Sequence, residues 1–250
     1  MKVISFFRDY VRACFGRAEN KTYTIKRIKQ FRIFTALLFF TVIAVFISVT
    51  AVKIFGSVSS ENKFREAAGK VCSDIISEHG TCRMEYTDDT TDEKNGGSWS
   101  LSGLSYIKQV DFNADGRDEL LVVYGSEGSY NLEVWGFKGK GFANLYKDRA
   151  NRLEGNKNFG EWITLYQNGG KCHIGKIKEN SADEMELLAL KGSTFSAVSA
   201  CGFNLEEQSY SVNGKQNASS FETVRFSGLT SPRAEYLQNQ VNNTLSGFIG

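Results

Sequence analysis

Only two of the 250 residues are histidine, His79 and His173. Nucleophilic catalysis by a Ser–His or Cys–His pair needs a base with a clear path to its nucleophile. His79 closes a predicted helix beside Gly80, and His173 lies in a predicted strand beside Cys172, so neither is placed for that work. No G-x-S-x-G and no H-E-x-x-H occurs. No glycine loop follows a strand in the way that would cradle a phosphate. Helical crossovers between the strands are also missing, which argues against a parallel sheet. Proline occurs once, as Pro232, where it suits the first turn of a C-terminal helix capped by Ser231. Charge is missing from one long stretch. Ile33–Val52 reads IFTALLFFTVIAVFISVTAV, without a charged residue or a proline.

As a helix, about 20 residues rise roughly 30 Å, the hydrocarbon thickness of a bilayer. The run therefore predicts a transmembrane helix over residues 33–55. Nine basic residues precede it (Lys2, Arg8, Arg12, Arg17, Lys21, Lys26, Arg27, Lys29, Arg32), against Asp9 and Glu19. Residues 1–32 thus carry +7, while the whole chain carries +2. Basic flanks stay cytoplasmic, so the expectation is a signal anchor in the cell membrane. It would be single-pass, with its N-terminus cytoplasmic and its C-terminal domain extracytoplasmic. A cleaved signal peptide would have a shorter apolar core and a small-x-small cleavage site. The lipid bilayer is then the first partner. A tethered basic stub this short does not suggest nucleic acid.

Four cysteines, Cys72, Cys82, Cys172 and Cys201, would lie outside, and Cys14 inside. An even number in an oxidising space predicts two disulfides, of which Cys72–Cys82 and Cys172–Cys201 lie closest in sequence. Zinc binding and free buried thiols are the alternatives; the spacings lack any C-x-x-C.

Residues 56–98 read as a helix followed by an acidic linker, Thr87–Ser98. Phe64, Ala67, Ala68, Val71, Ile75 and Ile76 recur at helical spacing, and Gly80 sits where a C′ glycine belongs. Residues 99–250 read as a β-rich domain with a C-terminal helix. Strands are predicted at Leu104–Phe112, Glu119–Tyr124, Leu132–Phe137, Trp162–Tyr166, Cys172–Lys176, Met185–Leu190, Phe195–Ser199, Ser209–Val212 and Phe221–Phe226, with glycine turns between them. The predicted class is α+β: one N-terminal transmembrane helix, then an antiparallel β-meander domain framed by an N-terminal and a C-terminal helix. Tyr130, Trp135, Phe142, Tyr146, Trp162 and Tyr166 fall in the meander. Most should be core, with some lining a carbohydrate or peptide face.

One loop carries metal chemistry. Residues 111–119 place side-chain oxygens at positions 1, 3 and 5 (Asp111, Asn113, Asp115) and glycine at position 6 (Gly116). The Arg117 carbonyl follows at position 7 and Glu119 at position 9. That spacing wraps a chain around one hard cation, and Ca²⁺ takes six to eight oxygens. Val122 stands where an EF-hand needs glutamate, and strands flank the loop on both sides. A strand–loop–strand around D-x-N-x-D-G-x-x-E-L resembles the calcium loop of the FG-GAP and VCBS repeats of bacterial surface proteins and integrin heads. The likeness runs from Leu104 to about Phe137. It implies a structural Ca²⁺ held by Asp111, Asn113, Asp115 and Glu119 and by the Arg117 carbonyl. Only one copy is present, so it does not imply a propeller.

The functional expectation is a non-enzymatic binding or envelope module, stiffened by Ca²⁺, that meets an envelope polysaccharide or protein partner. Two alternatives stand beside it. One is a membrane-tethered envelope hydrolase using Asp183 or Glu186. The other is an accessory subunit of an envelope complex, held through Ala36, Thr41, Ala44, Ser48 and Ala51 of its membrane helix.

Overall fold

The computed structural model describes residues 38–46, 60–88, 97–126, 129–152, 160–178, 184–204, 209–212, 215–216 and 221–249. Two compact units divide after residue 61. The first contributes one described helix, α1 (38–46), whose side chains are exposed. This corrects the expected transmembrane helix over 33–55. Its nine described residues rise about 14 Å, half a hydrocarbon core. Among the described residues no helix is long and apolar enough to cross a membrane. The single-pass topology, the signal anchor and the cell-membrane location lose their support with it. The remainder of 33–55 and the basic 1–32 segment lie outside the described residues. Of the five small residues assigned to a membrane-helix face, Thr41 and Ala44 are described and the other three are not.

The second unit is mostly β and corrects the α+β expectation of one meander framed by helices. It holds two antiparallel sheets. The first is a five-stranded meander of β1 (Arg83–Thr87), β2 (Ser98–Val110), β3 (Glu119–Ser126), β4 (Ser129–Lys138) and β5 (Gly141–Arg149). β3 is buried without alternation from Leu120 to Tyr124, the pattern of a strand covered on both faces. Helix α2 (60–79) lies beside Tyr124 of β3, and helix α3 (Ser231–Ile249) packs on β2 and β1. Phe64 of α2 meets Phe142 of β5 at 5.8 Å and Phe248 of α3 at 6.2 Å. Ala234, Leu237 and Val241 recur at three and four along the buried stripe of α3. Opposite strands of the second sheet bring Phe195 to 5.2 Å from Phe112, and Phe226 lies 5.3 Å from Tyr130.

Two glycines fix where α2 lies. Gly80 ends it at φ +88°, which an L side chain rarely adopts, and its carbonyl accepts the Leu104 N–H at 3.1 Å. Gly69 faces α3 so closely that a β-carbon there would stand 2.7 Å from the Phe248 carbonyl oxygen.

The second sheet runs β12 (Lys215–Gln216), β11 (Ser209–Val212), β10 (Thr194–Asn204), β9 (Glu184–Lys191), β8 (Lys171–Ile177), β7 (Glu161–Asn168) and β13 (Phe221–Arg225), with the short β6 (Asn151–Arg152) also paired to β7. It curls until strands near its opposite ends meet. Tyr210 of β11 stacks on Phe221 of β13 at 3.7 Å, and the Tyr210 and Thr223 hydroxyls hydrogen-bond. The inner face closes on a second core of Trp162, Tyr166, Met185, Leu187, Cys201, Phe203 and Tyr210. A bulge between Ala197 and Ser199 adds to the curl.

A seam joins the sheets. Phe226, just after β13, donates its N–H to the Glu161 carbonyl and accepts the Leu101 N–H, each at 2.8 Å. The Tyr130 hydroxyl lies against the carbonyls of Leu101 and Phe226, and the Glu161 carboxylate accepts the Tyr130 N–H at 2.9 Å.

The expected disulfides are also corrected. Cys72, Cys82, Cys172 and Cys201 are free, buried thiols. Cys172 belongs to the core between the sheets and Cys201 to the core inside the curled sheet, so the sheet itself separates them. Burial pushes the thiols of Cys72, Cys82 and Cys172 up to about 12 and that of Cys201 up to about 11, far from the reactive thiolate.

Alanine for glycine inside a helix normally adds up to about 1 kcal/mol of stability. Gly69→Ala should instead lower the unfolding free energy in urea by about 1–3 kcal/mol, because the added carbon overpacks α2 against α3; a gain would show that this contact yields. Reductant should leave the melting temperature unchanged, and peptide mapping after iodoacetamide at pH 8 should find the four thiols unlabelled in the folded protein.

Candidate functional site

The 111–119 loop joins β2 to β3 and closes on its own backbone. Asp111 accepts the Asp115 N–H at 3.2 Å and the Gly116 N–H at 2.8 Å, through different carboxylate oxygens. Asn113 accepts the Asp115 N–H at 2.9 Å. Asp115 accepts the Arg117 N–H at 2.9 Å. Ala114 takes φ +61° within this turn, an unusual setting that the surrounding hydrogen bonds hold in place. Phe112, fully buried, anchors the loop below, and its carbonyl accepts the Cys172 N–H at 3.3 Å.

Glu119 turns inward beneath the loop. Its side chain is buried and accepts the Phe112 N–H at 3.0 Å. Burial pushes its carboxyl up to about 7; the Phe112 hydrogen bond opposes this, and the charges of Asp115, Asp111 and Asp118 add to it. Among the described residues, no group of three or more His, Cys, Asp or Glu side chains is arranged to hold a metal ion. The expected calcium binding loses its support there, and the loop of Asp111, Asn113, Asp115, Arg117 and Glu119 is described as a turn closed by its own side chains. Its side-chain oxygens serve loop N–H groups, and Arg117 contributes an N–H to the turn. A melting temperature raised by Ca²⁺ in the parent but not in Asp111→Ala/Asp115→Ala would restore the ion.

A groove of about 560 Å³ lies between α2 and the β3–β4–β5 face of the first sheet. At its floor Glu133 of β4 is almost fully buried, yet both carboxylate oxygens are engaged. One accepts from the Tyr124 hydroxyl at 2.7 Å and from Lys147 at 2.9 Å; the other accepts from the Trp135 indole at 2.8 Å. Burial by itself would raise the Glu133 carboxyl. The hydrogen bonds from Lys147, Tyr124 and Trp135, with the Lys147 charge, overcome that and hold it below its ordinary value. The floor therefore presents a fixed, ionised carboxylate.

Aromatic rings form the sides. Trp135 and Phe142 lie nearly parallel, 17° apart with centroids at 6.5 Å, and His79 covers Tyr124 at 4.5 Å. The α2 wall carries Lys70, Asp74 and Glu78 at four-residue spacing, which puts all three along one line of the helix. A site of this size suits a drug-sized molecule.

Other predicted residues fall elsewhere. Glu186 lies on β9, opposite Lys176 of β8, and Asp183 lies outside the described residues. Glu184 pairs with Lys178 at 2.9 Å on an exposed edge. None of these acids lines the groove. Of the aromatics singled out in the meander, Trp135 and Phe142 line it, whereas Tyr130, Trp162 and Tyr166 are core. Glu133, Tyr124 and Lys147 were missed. The available signal was a lone acid between Leu132 and Val134 in an otherwise apolar strand. Comparisons with protein-family models, with characterised proteins and with solved structures gave no match.

The folded protein keeps a proton on Glu119 up to about pH 7, while the unfolded chain releases it near 4.5. Between those values the folded state binds more protons, so stability falls as pH rises. The melting temperature should therefore climb from pH 7 to pH 5, and Glu119→Gln should flatten that part of the profile.

Proposed function

We propose that this chain is a binding module, not an enzyme, and that the groove between α2 and β3–β5 is its binding site. The observation that carries the reading is Glu133. Burying an ionised carboxylate is costly unless its oxygens are satisfied. Tyr124, Trp135 and Lys147 meet that cost at the base of an open groove rather than in a closed core, which favours a polar anchor held ready for a ligand. Flanking aromatic faces and the apolar side of α2 suit an amphipathic partner. The reading needs no ion in the 111–119 loop and no membrane.

Titration of the full chain with the uncharged dye N-phenyl-1-naphthylamine should give a single saturable rise in fluorescence. Ala67→Trp places an indole in the groove from the α2 side and should abolish that rise while leaving the melting temperature near that of the parent. Equal dye binding in both proteins would remove the groove from consideration.

A further inference from the structure

The groove's own charges select its ligand. Carboxylates (Asp74, Glu78, Glu133) outnumber ammonium groups (Lys70, Lys147) in the lining, and Lys147 is already bonded to Glu133 at 2.9 Å. With Lys147 taken up by Glu133, an anion entering here would meet the exposed carboxylates of Asp74 and Glu78 on the α2 wall, against Lys70 alone. Trp135 and Phe142 line the same space with their rings nearly parallel, and aromatic faces attract cations. We infer that the ligand is an organic cation, an ammonium carried on an aryl or alkyl body. The body lies against Trp135 and Phe142, and the positive head lies toward Asp74, Glu78 and the Glu133 end.

The inference rests on the groove being the binding site. It is tested by calorimetry of the full chain with benzyltrimethylammonium and with its uncharged isostere neopentylbenzene, each in competition with the naphthylamine dye. The ammonium should displace the dye and bind about tenfold more tightly than the isostere, the scale of a partly desolvated cation–aromatic contact with added carboxylates. Asp74→Asn/Glu78→Gln alters only the exposed helix wall and should bring the two affinities together while the dye still binds. Equal or reversed affinities in the parent, with the dye site intact, would overturn the cationic ligand and leave the groove reading standing. A preference fully kept in the double variant would overturn the role of the α2 acids. Failure of the dye and of both probes to bind would overturn the groove reading itself.

Discussion

Everything in the larger unit depends on one residue's backbone. Phe226 bridges the two sheets, donating to Glu161 of β7 and accepting from Leu101 of β2. The chain then stays against β2, where Trp99 and Leu229 exchange both backbone hydrogen bonds at 2.9 Å. A buried backbone group without a partner costs about as much as a lost hydrogen bond. The seam therefore fixes register as well as contact, because a slip would leave several such groups bare. Tyr130 and the buried carboxylate of Glu161 complete it, so that ring, carboxylate and main chain occupy a single small volume.

From the seam outward the division of labour follows. One face of the first sheet must be covered by strands of the second, and the opposite face is left to helices. α2 covers that face only in part. Its Phe64 and Gly69 end is pressed against Phe142 and α3, and its Gly80 end is tied to β2. Between those fixed ends the wall and the sheet stand apart, and the groove occupies the gap. Polar residues on β3, β4 and β5 beneath it can be tolerated because they bond one another.

Much of the strand content was legible. Each of the nine predicted strands falls on an observed one, because alternating or continuous apolar runs between glycine turns are local signals. The two-residue β6 and β12 were missed as too short to show a pattern, and β1 and β5 for another physical reason. The latter two are sheet edges with mixed exposure, so neither carries a clean period. The curl of the second sheet had no local signal, since it depends on Tyr210 reaching Phe221 across four intervening strands of the sheet. The 33–52 run illustrates the opposite hazard: hydropathy names a solvent, and no helix among the described residues is long and apolar enough to cross a bilayer. The 111–119 spacing correctly marked a tight turn, but the same oxygens that suit a cation also suit the N–H groups of Asp115, Gly116 and Arg117. At the groove, Trp135 and Phe142 stood out as aromatics. Glu133 did not, because one charged residue in a strand usually means an exposed face.

The seam also sets the order in which the molecule can assemble. Each sheet is built largely from neighbours in sequence, joined by short turns, so its pairing closes small loops. The Tyr130 hydroxyl and the Phe226 carbonyl, by contrast, lie 96 positions apart. Closing so long a loop carries a large entropic cost until preformed surfaces share it. Docking of the two sheets is then a late event that completes both together. Until it occurs, the Trp99 and Leu101 N–H groups of β2 lack their partners Leu229 and Phe226, which makes the interval before docking the stage most exposed to association with other chains.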